Sequence, residues 1–414
     1  MLMERAALAV ADAVGEYGDQ IRVLSVCGTG NNGADGIAAG RILRERGIPV
    51  TLLLAGDPDH GTEEFRLQKQ IAEHLGMDIR LVETDAPEDG GQQKKLLWPW
   101  EEERYDVVID ALFGIGLSRP VAGELRQLID RLQSLEEVHV VSVDIPSGIH
   151  ADTGQVMGTA MKADVTVTFG WEKTGLKLYP GKAYAGQVRI AKIGFPGECF
   201  RQAGWDSQIL DASDLKRLPG RSPEGNKGTF GRVLVIAGSH GMCGASFLSA
   251  LAAYRTGAGL VKVLTVPENR RILQTQLPEA IVETYDPETV MPGEEFQTFL
   301  EEQCDWADVI VMGPGLGRES YVESLAEMVL AHVYVPLVLD ADGLNAVADH
   351  PHLTRFFTEN IIITPHMGEM ARLTGNSVQE LKEDPLLAAR EYSSRHGVVC
   401  VMKDAVTVIA DNFT

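Results

Sequence analysis

Val26–Gly36, VCGTGNNGADG, constrains this chain more than any other stretch. It follows Ile21–Val26, an apolar run with the length and β-branched content of a buried strand. It leads into Asp35–Arg46, DGIAAGRILRER, whose apolar spacing suits a helix with one buried face. A strand, a glycine-rich loop and a helix in that order form the repeating unit of an open α/β sheet. Gly28, Gly30, Gly33 and Gly36 are expected to permit positive φ and close approach of a ligand to the backbone. The helix start offers free N–H groups, a seat for phosphate. Asn31, Asn32 and Asp35 add polar groups that a plain turn does not need. The alternative is an ordinary βα turn, and a lone glycine pattern does not decide between the two.

Two further strand ends carry carboxylates. Tyr105–Gly116, YDVVIDALFGIG, predicts a short strand at Val107–Ile109 with Asp110 at its carboxyl end and Gly114 and Gly116 beyond. His139–Gly148, HVVSVDIPSG, predicts a strand at Val140–Val143, then Asp144 and a Pro146-Ser147-Gly148 turn. Ligands of open α/β sheets bind at the carboxyl ends of strands, so three neighbouring ends can converge on one pocket. For Asp144 the alternative is a cap or turn-stabilising side chain. Pro49–Gly56, Asp78–Val82, Asp164–Gly170 and Gln187–Ile193 read as further strands. Met1–Tyr17 reads as an uncapped amphipathic helix with Leu2, Ala6, Leu8 or Ala9, Val10 and Val14 on one side. Thr84–Arg104 reads as a polar surface excursion whose Trp98 and Trp100 cover a helix edge. The pattern implies a mostly parallel sheet with helices on both faces.

A first domain is expected over 1–205, a Pro- and Gly-containing linker over 206–226, and a second domain over 227–414. The second half begins a new strand–glycine loop–helix unit at Lys227–Gly244, with the strand at Val233–Ala237 and the helix at Ala245–Gly257. Leu260–Val266 and Asp308–Gly317 (DVIVMGPGLG) supply further strands. Val335–Asn345 places Asp340 and Asp342 at a strand end, and Ile361–Glu369 places His366 just past another. Val398–Asp404 and Ala405–Asp411 read as a hairpin. His366 is a ligand contact or a surface loop histidine; Lys403 is a ligand contact or a solvated hairpin lysine.

The 414 residues carry 37 basic and 59 acidic side chains, a net charge of −22, which argues against nucleic acid or an anionic membrane as the main partner. No apolar run reaches membrane-spanning length and no signal-peptide pattern opens the chain. Five scattered cysteines form neither a zinc motif nor a disulfide framework, which points to a reducing, cytoplasmic setting.

With these motifs on the page, the first half resembles NAD(P)H-hydrate epimerase: GTGNNGADG, DALFGIG, VDIPSG and GLKLYPGKAYAG match that family in combination. The resemblance implies a Rossmann-like αβα sheet that binds hydrated NADH and NADPH and a potassium ion. It assigns dinucleotide contacts to Asn31, Asn32, Gly33, Ala34 and Asp35 and to Gly114, Ile115, Gly116, Leu117, Ser118, Arg119 and Pro120. It gives potassium to Asn32, Asp110 and Ser147, and a catalytic and substrate-binding role to Asp144. Ala34 departs from the family's second glycine; a need for positive φ there costs about 1 kcal/mol.

The second half, through KGTFGRVLVIAGS, GAS, GPGLG, LDADGLN, TPHMGE and VMKD, resembles the ADP- or ATP-dependent NAD(P)H-hydrate dehydratase, a ribokinase-like αβα domain. That resemblance implies substrate contacts at Ala245, Gly315 and His366 and nucleotide contacts at Lys403, Asp404, Ala405, Val406 and Thr407, with magnesium as a further candidate ion. The family continues into a GGxGD segment bearing a catalytic Asp and has more chain ahead of the first helix. The expectation is therefore a chain cut at both ends, with an incomplete dehydratase half that does not turn over. A homo-oligomer is expected. The competing readings are a non-catalytic dinucleotide-binding scaffold and, for the second half alone, a small-molecule kinase.

Overall fold

A computed structural model describes residues 1–82, 98–202, 207–290 and 294–411. The chain forms two compact units, Met1–Gly204 and Trp205–Thr414. The expected close of the first domain at Trp205, the linker's first residue Asp206, the excursion's residues 84–97 and the terminal residues 412–414 lie outside the described residues. Residues 207–226 group with the second unit; within them Asp214–Arg217 forms a 3-10 turn.

In the first unit seven strands are described: β1 (Val23–Cys27), β2 (Val50–Leu54), β3 (Asp78–Leu81), β4 (Val107–Ala111), β5 (His139–Val143), β6 (Val165–Phe169) and β7 (Gln187–Ala191). They form one parallel sheet in the order β3-β2-β1-β4-β5-β6-β7. The chain runs outward from β1 to one edge, then crosses back to β4, so the switch point lies between β1 and β4, where open sheets bind ligands. Register fixes the site: Val26 lies beside Asp110, and Asp110 beside Ser142.

Helix α1 (Leu2–Gly15) begins at Met1 with no side-chain cap, as expected, and buries Ala6, Ala7, Val10, Ala11, Ala13 and Val14. Leu2, expected on the buried side, is exposed, and of the alternatives Leu8 and Ala9 it is Ala9 that packs on the core, because small alanines bring α1 close to its neighbours along that stripe. Trp98 is buried, stacks on Trp100 and lies under Arg131 of the helix Gly123–Gln133, covering that helix as expected.

Helix α2 begins at Asn31, four residues before the expected Asp35, and runs to Glu45. Its N-cap, Gly30, makes no side-chain cap bond. Packing compensates: Ile37 and Leu43 are fully buried, each worth about 1.5–3 kcal/mol, against about 1 kcal/mol for a missing cap. Positive φ is not what these glycines supply. None of Gly28, Gly30, Gly33 and Gly36 has positive φ. A Cβ on Gly33 would lie 1.7 Å from the Gly28 carbonyl oxygen, and one on Gly36 2.4 Å from the Ala111 methyl. They let α2 sit directly on the β1 and β4 ends. Ala34 is an ordinary buried helical residue, so the expected positive-φ cost does not arise.

The second unit contains β8 (Arg232–Ile236), β9 (Leu260–Thr265), β10 (Ile281–Thr284), β11 (Val309–Met312), β12 (Leu337–Leu339), β13 (Ile361–Ile363), β14 (Val399–Met402) and β15 (Val408–Ala410). Their order is β10-β9-β8-β11-β12-β13-β14-β15, parallel except for the antiparallel β14–β15 hairpin. Both units are thus α/β layers on a sheet with its carboxyl edge open. No described helix is long and apolar enough to cross a membrane.

Candidate functional site

In the first unit Asp110 is buried one residue before the end of β4. Its Oδ2 accepts from the Ser142 hydroxyl at 2.7 Å and from the Ser147 amide at 2.8 Å. The Phe113 amide donates to Ser147 Oγ at 2.9 Å, which ties the DALFG and DIPSG loops together. Asp110 Oδ1 is buried without a hydrogen-bond partner, and so is the amide nitrogen of Asn32. Gly114 closes over Asn32, since a Cβ there would lie 3.2 Å from Asn32 Oδ1. Burial pushes the Asp110 carboxyl up, while the Ser147 and Ser142 groups pull it back. A buried carboxylate oxygen left unpaired costs more than the 1–3 kcal/mol of a neutral group. A cation removes that cost. The donors gathered here are all oxygen once the Asn32 amide turns over, the chemistry potassium requires.

Asp144 follows β5 with φ of 68°, a left-handed conformation that Asp tolerates better than most residues. The turn aims its carboxylate at the ends of β5 and β6. Asp144 Oδ1 accepts from Lys173 Nζ and from the Phe169 amide at 3.3 Å. Lys173 Nζ also donates to Thr168 Oγ1 at 2.9 Å and to the Phe169 carbonyl at 3.0 Å. Asp35, on α2, is pushed up to about 7, chiefly by burial and then by the negative charge of Asp144. One site therefore holds two carboxyls and an ammonium. Gly148 explains the SG of DIPSG: φ is 97° and a Cβ would lie 1.9 Å from the Thr159 carbonyl oxygen.

The structure thus brings Asn32, Gly114, Asp110 and Ser147 together and sets Asp35 within reach of Asp144's charge. Asn31 and the stretch Ile115, Gly116, Ser118, Arg119 and Pro120 are exposed, with Leu117 half-buried among them. Gly33 and Ala34, expected at the ligand, are buried in the seam between α2 and the sheet and present no side-chain surface. Lys173 and Thr168 were not foreseen. The rule that flagged Asp110 and Asp144, a polar group at a parallel-strand end, finds Thr168 in β6, whereas Lys173 lies four residues beyond that strand and carries no such signal.

In the second unit the carboxyl ends of β8, β11, β12 and β13 converge. Gly315, at φ of 65°, faces Ala245: a Cβ on it would lie 2.7 Å from the Ala245 methyl. Asp342 Oδ2 accepts from the Gly317 amide at 2.8 Å and its Oδ1 from Asn345 Nδ2 at 3.1 Å. Arg372 donates to Asn345 Oδ1 at 3.0 Å. His366 caps the helix Met367–Thr374, accepting from the Gly368 amide at 2.9 Å through Nδ1, while Glu369 accepts from the His366 amide at 2.8 Å. Its Nδ1 is thereby committed, and its Nε2 faces the buried Glu369 Oε1 at 3.4 Å. Lys403 bridges to His366 through the backbone, and its Nζ donates to Asp340 Oδ1 at 2.9 Å. That pairing crosses from the hairpin to β12, which the sequence reading kept apart. Asp404, Ala405, Val406 and Thr407 form the exposed to half-buried turn between β14 and β15.

Residues 1–175 match the family described as YjeF-related protein N-terminus, and residues 233–413 match NAD(P)H-hydrate dehydratase. The chain is 35% identical over 415 residues to the bifunctional NAD(P)H-hydrate repair enzyme Nnr of Thermofilum pendens, covering 99% of this chain and 76% of that protein. It is 36% identical over 397 residues to the Escherichia coli protein of the same name, covering 95% and 70%. Among solved structures, the ADP/ATP-dependent NAD(P)H-hydrate dehydratase of Bacillus subtilis, co-crystallised with ATP and Mg2+, is 29% identical over 47% of this chain and 65% of its own, with a TM-score of 0.38. The extent of the match to the repair enzymes, across both units at once, shows that this chain belongs to the bifunctional NAD(P)H-hydrate repair enzyme family.

Proposed function

We propose that the first unit interconverts the R and S forms of hydrated NADH and NADPH, with Asp144 as the proton-transfer group. The observation that carries this is the Asp144 carboxylate, turned by a left-handed residue onto a strand end and held there by Lys173. A carboxylate beside the hydroxyl-bearing carbon accepts and returns a proton during inversion. Lys173 balances the charge and fixes the carboxylate's direction. Asn32, Asp110 and Ser147 would hold potassium, supported by the orphaned Asp110 Oδ1 and by the Asn32 side-chain amide, whose nitrogen also lacks a partner and which can turn its oxygen toward an ion. The ion supplies positive charge where an anionic dinucleotide must dock. Asn31, Asp35 and the 114–120 loop form the binding rim.

For the second unit the reading is nucleotide-dependent dehydration of the S form. Ala245, Gly315 and His366 line the dinucleotide subsite. Lys403 and the turn to Thr407 face ADP or ATP, accompanied by magnesium, and the nucleotide activates the departing hydroxyl by phosphoryl transfer. The Lys403–Asp340 pair at the carboxyl edge of the sheet supports this assignment.

The test uses epimer-resolved chromatography of hydrated NADH. Asp144→Asn keeps the left-handed turn, because Asn tolerates that conformation as Asp does. It should bind ligand yet lose epimerisation by about 10²–10⁴-fold. Asp110→Ala should lose the dependence of rate on potassium. Full turnover in Asp144→Asn refutes the role, and absence of turnover in the wild type favours the scaffold reading.

A further inference from the structure

Outside both candidate sites, three metal-ligating side chains meet on the second unit. Glu323 stands in the first turn of the helix Tyr321–His332. His350 ends the helix Asp342–Asp349, and His352 follows in the 3-10 turn Pro351–Phe356. His350 Nδ1 lies 2.9 Å from Glu323 Oε1, and His352 Nε2 lies 3.9 Å from the same oxygen. One ligand atom from each of the three falls within 4.8 Å of the others. The two imidazole rings stand nearly perpendicular, 6.1 Å apart, so neither blocks the other's lone pair. The neighbouring carboxylate, Glu327, is taken by Arg355 at 2.6 Å, which leaves Glu323 to the histidines.

From this arrangement we propose that Glu323, His350 and His352 bind a divalent transition-metal ion of the zinc class. Two imidazole nitrogens and one carboxylate oxygen suit such an ion and do not suit potassium or magnesium, which take oxygen shells. Bonds of about 2.0–2.1 Å in a tetrahedral shell put ligand atoms roughly 3.3–3.5 Å apart. The spans from Glu323 Oε1 to the two imidazoles, 2.9 and 3.9 Å, fall on either side of that value, and the imidazole nitrogens lie within 4.8 Å of each other, so side-chain rotations close the site. All three side chains are 35–46% exposed, so the fourth position would be open to water. The ion would pin the end of the helix Asp342–Asp349 to the helix Tyr321–His332. The start of the same helix carries Asp342 and Asn345, which hold Gly317 and Arg372 at the candidate dehydratase site. The metal therefore braces that site from its far end without touching it.

The full chain is titrated with Zn2+ by calorimetry in a buffer that contains potassium and magnesium, and with Co2+ by visible absorption. One saturable site per chain is expected, with the intense absorption of a low-coordinate Co2+ shell. His350→Ala and His352→Ala should each weaken Zn2+ at least about tenfold with unchanged circular dichroism. His60→Ala and His332→Ala, which remove the histidine–carboxylate contacts at Asp57 and Asp305, should bind as the wild type does. Absence of saturable binding, or binding unaltered by His350→Ala and His352→Ala, overturns the proposal.

Discussion

Asp35 gives a stability prediction whose sign and size follow from its surroundings. Burial, with the charge of Asp144 second, lifts its carboxyl from an ordinary 3.8 to about 7. In the unfolded chain the group ionises near pH 4. Between pH 4 and 7 the unfolded state releases a proton that the folded state keeps, so folding stability from this group falls as pH rises through that window. Below pH 4 and above pH 7 the contribution is flat. The gap amounts to at most about 4 kcal/mol, and solvent reaching the half-buried carboxyl trims it. Asp35→Asn removes the titration and keeps the shape. Relative to the wild type, the variant should gain stability from pH 4 to 7 and hold the gain above pH 7. Urea denaturation with pulse-labelling hydrogen exchange, read on the peptide covering Val23–Cys27, reports the first unit alone. In an Asp144→Asn background the window should close at lower pH, because the like charge is gone. Parallel pH–stability curves for wild type and Asp35→Asn would refute the reasoning.

Two further outcomes are checked by simpler measurements. Gly33→Ala drives a methyl toward the Gly28 carbonyl oxygen, so the first unit should lose about 1–3 kcal/mol or more in urea, whereas Ala34→Gly should cost only about 1 kcal/mol. Lys403→Met should weaken nucleotide binding about tenfold in a calorimetric titration with ADP or ATP, as expected for loss of one charge-assisted contact, with the epimerisation rate unchanged.

Most strand positions are legible because the sheets are parallel apart from the β14–β15 hairpin and their central strands are buried, so those strands read as short apolar runs ending in a polar residue. Asp110 and Asp144 were found that way. The start of α2 was not, since Asn31-Asn32-Gly33 has the composition of a loop; burial of Ile37 and Leu43 overrides that local preference. Of the glycines' expected roles, positive φ is the one the structure overturns: a sequence shows a missing Cβ and conceals whether a φ angle or a neighbouring carbonyl demands it. Helices such as Tyr321–His332 and strand β10 went unread, because they carry no motif and their polar faces dilute the apolar signal. Long-range pairings were beyond reach for a different cause. Asp340 and Lys403 are 63 residues apart, and only the order β12-β13-β14 brings them together.

Charge poses the last physical problem. A chain of net charge −22 must attract phosphate-bearing ligands to two sites. The long-range field opposes this, but salt screens it over about 8–10 Å, so groups inside that radius decide. Each candidate site has a lysine, and in each the lysine is paired with an aspartate: Lys173 with Asp144, Lys403 with Asp340. Neither pair offers a net positive charge. What remains in the first unit is Arg119 on the exposed loop, the amide-rich start of α2 and whatever cation Asp110 and Asn32 take up, so the ion proposed there adds to an attraction that one side chain supplies thinly. In the second unit, a phosphate can draw Lys403 off Asp340, and the freed carboxylate then faces the nucleotide, where a divalent ion would be the fitting counter-charge.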